Sequence, residues 1–190
     1  MDIDLRDFER VAIPLDGRRA AAVAIVVSGA DPAIWLTRRA SGMRAHPGQF
    51  ALPGGRLDAG EDAVAAALRE LAEELGVTAS RDECVGLLDD YPTRSGYVIT
   101  PVVVRLGGTP RLRPNPAEVA HVDVIPVRDL AVEPRFLTIP ESDRPVIQLP
   151  LVGHLVHAPT AAVLYQFREA ALYGRTTRVA HLEQPVFAWR

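Results

Sequence analysis

Lysine is absent from this chain of 190 residues: all 21 basic side chains are arginine. Genomic base composition explains that plainly. The functional alternative is bidentate binding of phosphate, whose oxygens match the guanidinium fork. Cysteine is almost absent too. Cys84 stands alone, so no disulfide can close within the chain, and neither a thiolate-rich metal site nor an oxidising compartment is implied. Aromatic residues amount to 6%. Trp35 has no aromatic neighbour at strand spacing and Trp189 has Phe187 alone, so they read as core or edge packing and not as a base-stacking platform. Positive charge is not in excess: the formal net charge is −3 and the pI about 6.0. That leaves no broad cationic surface for polymeric nucleic acid, but room for a local basic pocket. Long apolar runs are missing as well. The longest, residues 20–27, is far too short to cross a bilayer, and the acidic beginning (Asp2, Asp4, Asp7) is unlike a secretory leader. A cytoplasmic protein is expected.

What is present is the balance of an ordinary globule, 48% hydrophobic and 24% charged with a mean hydropathy of +0.07, enough for one domain spanning residues 1–190. Residues 20–27 and 33–37 predict an antiparallel strand pair joined by a turn. Residues 38–60, rich in Arg, Gly and Pro, predict loop with a short strand near 50–52. Helical spacing of Val64, Ala67, Leu68, Leu71 and Leu75 predicts a helix over 61–75 closed by Gly76. Further strands are expected at 84–88, 98–106 and 121–125, with Pro101 marking an edge or bulge. A long irregular stretch should follow through Pro150, then a helix from Thr160 as N-cap to Tyr173. Strands mixed irregularly with two helices define an α+β layered domain.

On the first helix Glu70, Glu73 and Glu74 fall at i, i+3 and i+4, so three carboxylates crowd one face. Like charges so placed cost about a few tenths of a kcal/mol per pair, and Glu74 also faces the negative end of the helix dipole. A solvated acidic face is the plain reading of such a triplet. A hard divalent cation such as Mg²⁺ is the chemical one, since it takes carboxylate oxygens together with water and substrate phosphate. Gly54 and Gly55 just upstream let backbone approach a metal or phosphate closely. Glu61 and Arg69 are placed to form an ion pair tying loop to helix. His154 and His157 lack an acidic or thiol partner at ligand spacing and read as ordinary residues.

Residues 55–77, GRLDAGEDAVAAALRELAEELGV, match the Nudix box G-x5-E-x7-R-E-U-x-E-E-x-G-U (U aliphatic) at Gly55, Glu61, Arg69, Glu70, Leu71, Glu73, Glu74, Gly76 and Val77. The chain thus resembles the Nudix hydrolases. The resemblance implies an α/β/α sandwich with a mixed sheet and hydrolysis of a diphosphate linked to another moiety. It also implies Mg²⁺ or Mn²⁺ held by Glu70, Glu73, Glu74 and the Gly55 carbonyl. Metal would screen the diphosphate oxygens and acidify the attacking water, while a remaining carboxylate accepts the proton. Glu73, as ligand or base, Glu118 as a second candidate base and Arg69 are the candidate catalytic residues; Glu118 reads equally as an exposed loop acid.

Substrate choice must come from outside the box, which touches phosphates common to all candidates. Residues 36–58, LTRRASGMRAHPGQFALPGGRLD, resemble the upstream motif of the coenzyme A diphosphatase branch through Leu36, Thr37, Arg39, Arg44, His46, Gly48, Gln49 and Asp58. Ala40, Met43 and Leu52 depart from that motif. The branch implies cleavage of coenzyme A or its derivatives to adenosine 3′,5′-bisphosphate and 4′-phosphopantetheine. Arg39, Arg44, His46, Gln49 and Gly54 are the candidate substrate contacts. Arg39 and Arg44 could donate to phosphate or lie exposed in a loop; His46 could bond substrate or cap the turn before Pro47. Two alternatives stay open: a diphosphatase for ADP-ribose, NADH or a nucleoside triphosphate, and a non-catalytic nucleotide sensor. A homodimer is left open on base rate alone.

Overall fold

The computed structural model describes residues 3–42 and 48–188. Its strands are β1 (Arg19–Ser28), β2 (Ala33–Arg39), β3 (Phe50–Ala51), β4 (Gly54–Arg56), β5 (Cys84–Leu87), β6 (Tyr91–Pro92), β7 (Tyr97–Arg105) and β8 (Val119–Pro126), followed by β9 (Arg135–Ile139), β10 (Ser142–Leu151) and β11 (His154–His157). Two α-helices, α1 (Ala63–Leu75) and α2 (Thr160–Tyr173), complete the described fold.

The period-2 alternation of β1 determines the layering. Ala22, Ala24 and Val26 face one side of the sheet, and Ile25 and Val27 the other, all buried. Against the first face α1 packs Ala66, Ala67, Leu71 and Leu75, together with Trp35, Val102 and Val104. Against the second, α2 packs Ala161, Leu164 and Phe167, together with Ile34, Leu36 and Val103. The result is an α+β sandwich with one helix on each face of a mixed sheet, as expected. Trp35 lies inside the α1 layer.

The large sheet runs β3-β2-β1-β7-β5, with β8 beside β2, β4 beside β1 and β6 beside β7. β1 and β2 are antiparallel, as the turn between them requires, whereas β1 and β7 are parallel from Arg19↔Tyr97 to Val27↔Arg105. Pro101 sits inside β7, where its partner strand is broken between β5 and β6; its carbonyl accepts the Leu88 amide at 3.0 Å. A residue with no N–H is tolerated at such a break.

Three local expectations are corrected. Helix α1 starts at Ala63, because Asp62 is the N-cap and accepts the Ala65 amide at 2.8 Å. Thr160 is the first residue of α2 and not its cap: Pro159 holds that position, and the Thr160 hydroxyl donates to the Phe50 carbonyl at 3.2 Å. Residues 135–150 are not irregular. Strands β9, β10 and β11 form a second antiparallel sheet whose Ile147, Leu149 and Val156 join the α2 core. Proline at 140, 145 and 150 obscures that pattern in the sequence. Among the described residues no helix is long and apolar enough to cross a membrane.

Candidate active site

The acidic face of α1 meets the loop-edge strand β4. Gly54 lies so tightly on β1 that a β-carbon there would stand 2.4 Å from the Ala22 carbonyl oxygen. Its amide donates to Glu74 Oε1 at 3.2 Å. One residue on, a β-carbon at Gly55 would stand 2.1 Å from Glu70 Oε1. Glycine at 54 is therefore a steric requirement of the sheet, and glycine at 55 lets the Glu70 carboxylate lie against the strand.

Arg69 organises the cluster. Its Nε and Nη2 donate to the two oxygens of Glu61 at 2.9 and 3.0 Å, its Nη1 to Glu70 at 2.9 Å and Glu73 at 3.2 Å, and its Nη2 also to the Arg56 carbonyl at 2.9 Å. Those contacts occupy all five guanidinium N–H groups. Glu61 in turn accepts the Asp58 amide at 2.8 Å, so the pair ties the loop to α1.

The three acids differ in environment. Glu74 is buried, and burial, reinforced by the negative charges of Glu70 and Glu118, pushes its pKa up to about 7 against the pull of the Gly54 amide and the Arg39 charge. Glu70 is also raised, chiefly by burial and despite its contact with Arg69. Glu73 is the exposed member, with 56% of its side chain accessible. Partly desolvated carboxylates are hard-oxygen donors of the kind Mg²⁺ or Mn²⁺ takes. In this conformation, among the described residues, no three His, Cys, Asp or Glu side chains are disposed to hold a metal ion. Arg69 occupies Glu70 and Glu73, and Glu74 turns to the Gly54 amide.

Glu118 stands at the turn before β8, half-buried, with its carbonyl accepting the Ala40 amide at 2.8 Å and its amide bonded to Asn115. Its charge reaches both Glu70 and Glu74. Arg39 ends β2 and exchanges backbone hydrogen bonds with Gln49 and Gly48 at 3.0 Å. Arg44 and His46 lie outside the described residues.

Beside the acids, on the α2 face of the sheet, opens a cleft of about 480 Å³. It is lined by Gly54 and Gly55, by Arg39 and Gln49, and by residues that sequence reasoning missed, notably Arg19, Arg56 and Tyr97. Arg19 and Tyr97 are register partners across the parallel β1–β7 pair, a pairing that no local pattern in the sequence signals.

The NUDIX domain model matches residues 17–149, and the chain belongs to that family. It is 35% identical over 115 residues to the uncharacterized Nudix hydrolase NudL of Photorhabdus laumondii, covering 60% of this chain and 62% of that one. Over 171 residues it is 31% identical to the NudL of Yersinia pestis, covering 89% of this chain and 80% of the relative. The chain spans about three fifths of the length of the first curated relatives it matches. Among solved structures, the fold is shared with the Nudix hydrolase RenU of M. smegmatis, at a TM-score of 0.55 and 19% identity, with 85% and 91% of the two chains covered. It is shared also with a Nudix hydrolase of Alicyclobacillus acidocaldarius, at a TM-score of 0.54 and 21% identity, covering 79% and 90%.

Proposed function

We propose that this chain is a metal-dependent diphosphatase that hydrolyses coenzyme A or its derivatives to adenosine 3′,5′-bisphosphate and 4′-phosphopantetheine. The observation that carries this reading is the meeting of Glu70 and Glu74, from the acidic face of α1, with the Gly54–Gly55 strand, which itself lines a cleft large enough for a nucleotide. Family membership supports the class of reaction, and the upstream motif with Arg39 and Gln49 at the cleft supports the substrate.

Glu70, Glu73, Glu74 and the Gly55 carbonyl would hold Mg²⁺ or Mn²⁺. When bound, the metal supplies charge neutralisation on the diphosphate and a more acidic attacking water. Binding would require Glu70 and Glu73 to exchange the Arg69 Nη1 donors for the cation, while Nε and Nη2 stay on Glu61 and the Arg56 carbonyl, so Arg69 is a positioning residue that ties the loop to α1. Glu73, the solvent-exposed acid of the three, or Glu118, within charge range of Glu70 and Glu74, accepts the proton of water. Arg39, Arg44, His46, Gln49 and Gly54 bind and orient the phosphates.

Residues 1–190 act as one domain, an assignment supported by Ile3, Leu5, Val179 and Leu182 packing into the α2 core. A cytoplasmic setting agrees with the lone Cys84 thiol, and a homodimer remains the base-rate assembly.

The test is product analysis with Mg²⁺ or Mn²⁺ across coenzyme A, ADP-ribose, NADH and nucleoside triphosphates. Preferential conversion of coenzyme A supports the reading. Preference for another diphosphate moves the specificity, and no hydrolysis of any substrate at any metal concentration overturns the reading.

A further inference from the structure

Most arginines of this fold are spent on carboxylates, as Arg69 is on Glu61 and Arg94 on Glu183. Arg19 and Arg56 are spent on an aromatic ring. The guanidinium carbon of Arg19 stands 4.3 Å from the Tyr97 ring centroid and that of Arg56 5.6 Å from it, while Arg56 Nε donates to the Tyr97 hydroxyl at 2.8 Å. The sheet enforces this cluster: Arg19 pairs with Tyr97 across β1–β7, and Arg56 pairs with Ala21 across β1–β4. All three residues line the same cleft as Gly54 and Gly55.

Stacking on a ring holds a guanidinium plane in place and leaves most of its in-plane donors available; of this pair the Tyr97 hydroxyl takes Arg56 Nε. Two such cations, with no carboxylate of the described chain to neutralise them, form a doubly charged receptor. A phosphate monoester near neutral pH carries almost two negative charges and several acceptor oxygens, so it matches that receptor better than a carboxylate does. The spacing fits as well. Gly55 pairs with Ala22, three residues along β1 from Arg19, which corresponds to roughly 10 Å of strand, a span that a sugar ring bearing phosphates at two positions can bridge.

We propose that Arg19 and Arg56, stacked on Tyr97, form a second anion subsite that takes a phosphate monoester on the nucleoside part of the substrate, separate from the diphosphate being cleaved. The proposal rests on reading the neighbouring site as a nucleotide diphosphatase, and it makes Arg19 and Arg56 determinants of specificity.

The experiment compares wild type with Arg19→Ala, Arg56→Ala and the double variant. Calorimetry with Mg²⁺ present measures binding of adenosine 3′,5′-bisphosphate and of AMP, and kinetics measure turnover of coenzyme A and 3′-dephospho-coenzyme A. Wild type should bind the bisphosphate about ten-fold or more tightly than AMP, as charge-assisted bonds to a phosphate imply. The double variant should bring the two to within about two-fold, leave AMP binding unchanged, and raise KM for coenzyme A at constant kcat, the signature of lost uniform binding. Both arginines are exposed, so folding survives their removal. A wild type that does not discriminate, or variants that weaken both ligands equally, overturns the subsite. Discrimination that depends on the arginines without any cleavage of coenzyme A upholds the subsite and overturns the reaction proposed for its neighbour.

Discussion

The carboxylate of Glu70 rests directly over the α-carbon of Gly55: a β-carbon at residue 55 would lie 2.1 Å from Glu70 Oε1 and 2.5 Å from its Cδ. A helix acid thus lies where a side chain at residue 55 would begin, and glycine leaves that space to it. Gly55→Ala must push the Glu70 side chain away while leaving the sheet register intact. We expect kcat to fall about ten-fold or more, since small displacements of positioned groups are costly, with the melting temperature lowered by only a few degrees. Steady-state kinetics and thermal melts on the same preparation check this.

Glu73 is the exposed acid of the three, 56% accessible and held by one contact to Arg69. Glu73→Gln removes a charge without disturbing packing, so stability should stay within about 0.5 kcal/mol of wild type. Activity should drop by about two to four orders of magnitude, the usual worth of a catalytic base, and as far if the residue is instead a metal ligand. Unchanged kcat in a folded variant would remove Glu73 from the mechanism.

Arg69 bridges Glu61, Glu70, Glu73 and the Arg56 carbonyl. Lysine has three donors on one atom and cannot span that set. Arg69→Lys should therefore reduce both melting temperature and kcat, with KM for substrate nearly unchanged because Arg69 acts on the join of loop and helix through Glu61 and the Arg56 carbonyl. A rise in KM at constant kcat would instead make Arg69 a substrate contact.

Acid stability is predicted by Glu183, whose side chain is 1% exposed. Burial alone would raise its pKa, but the Arg94 guanidinium, the Gln184 amide at 2.9 Å, the Ser142 hydroxyl at 2.9 Å and the Arg144 charge together bring it down to about 2 from an ordinary 4.5. A carboxyl depressed on folding binds fewer protons in the native state. Its contribution is complete above the unfolded value and is lost as pH falls from about 4.5 towards 2. Melting temperature should decline across that window, and Glu183→Gln should start lower at neutral pH and decline less steeply. Equal slopes in the two proteins would contradict this.

The acid triplet, the paired glycines and the Glu61–Arg69 link were legible in the sequence because each depends on spacing within one helix or one short loop. Layering was legible too, since β1 alternates and α1 keeps a helical period. Residues 135–157 were not: prolines at 140, 145 and 150 hide a sheet whose pairing is set by tertiary contact with α2. Nor was the Arg19–Tyr97–Arg56 cluster, because parallel pairing joins residues far apart in the chain and leaves no local trace. Thr160 carried a cap signature but spends its hydroxyl on Phe50 instead, a case where a long-range acceptor outcompetes a local one.

The most direct test of the account is a calorimetric titration of Mn²⁺ into wild type and into Glu70→Gln and Glu73→Gln, with a non-hydrolysable diphosphate nucleotide present. Saturable binding in wild type that weakens by about ten-fold or more in each variant is predicted, because each loses a charged oxygen ligand. Equal affinity in all three proteins, or no binding in any, would contradict it.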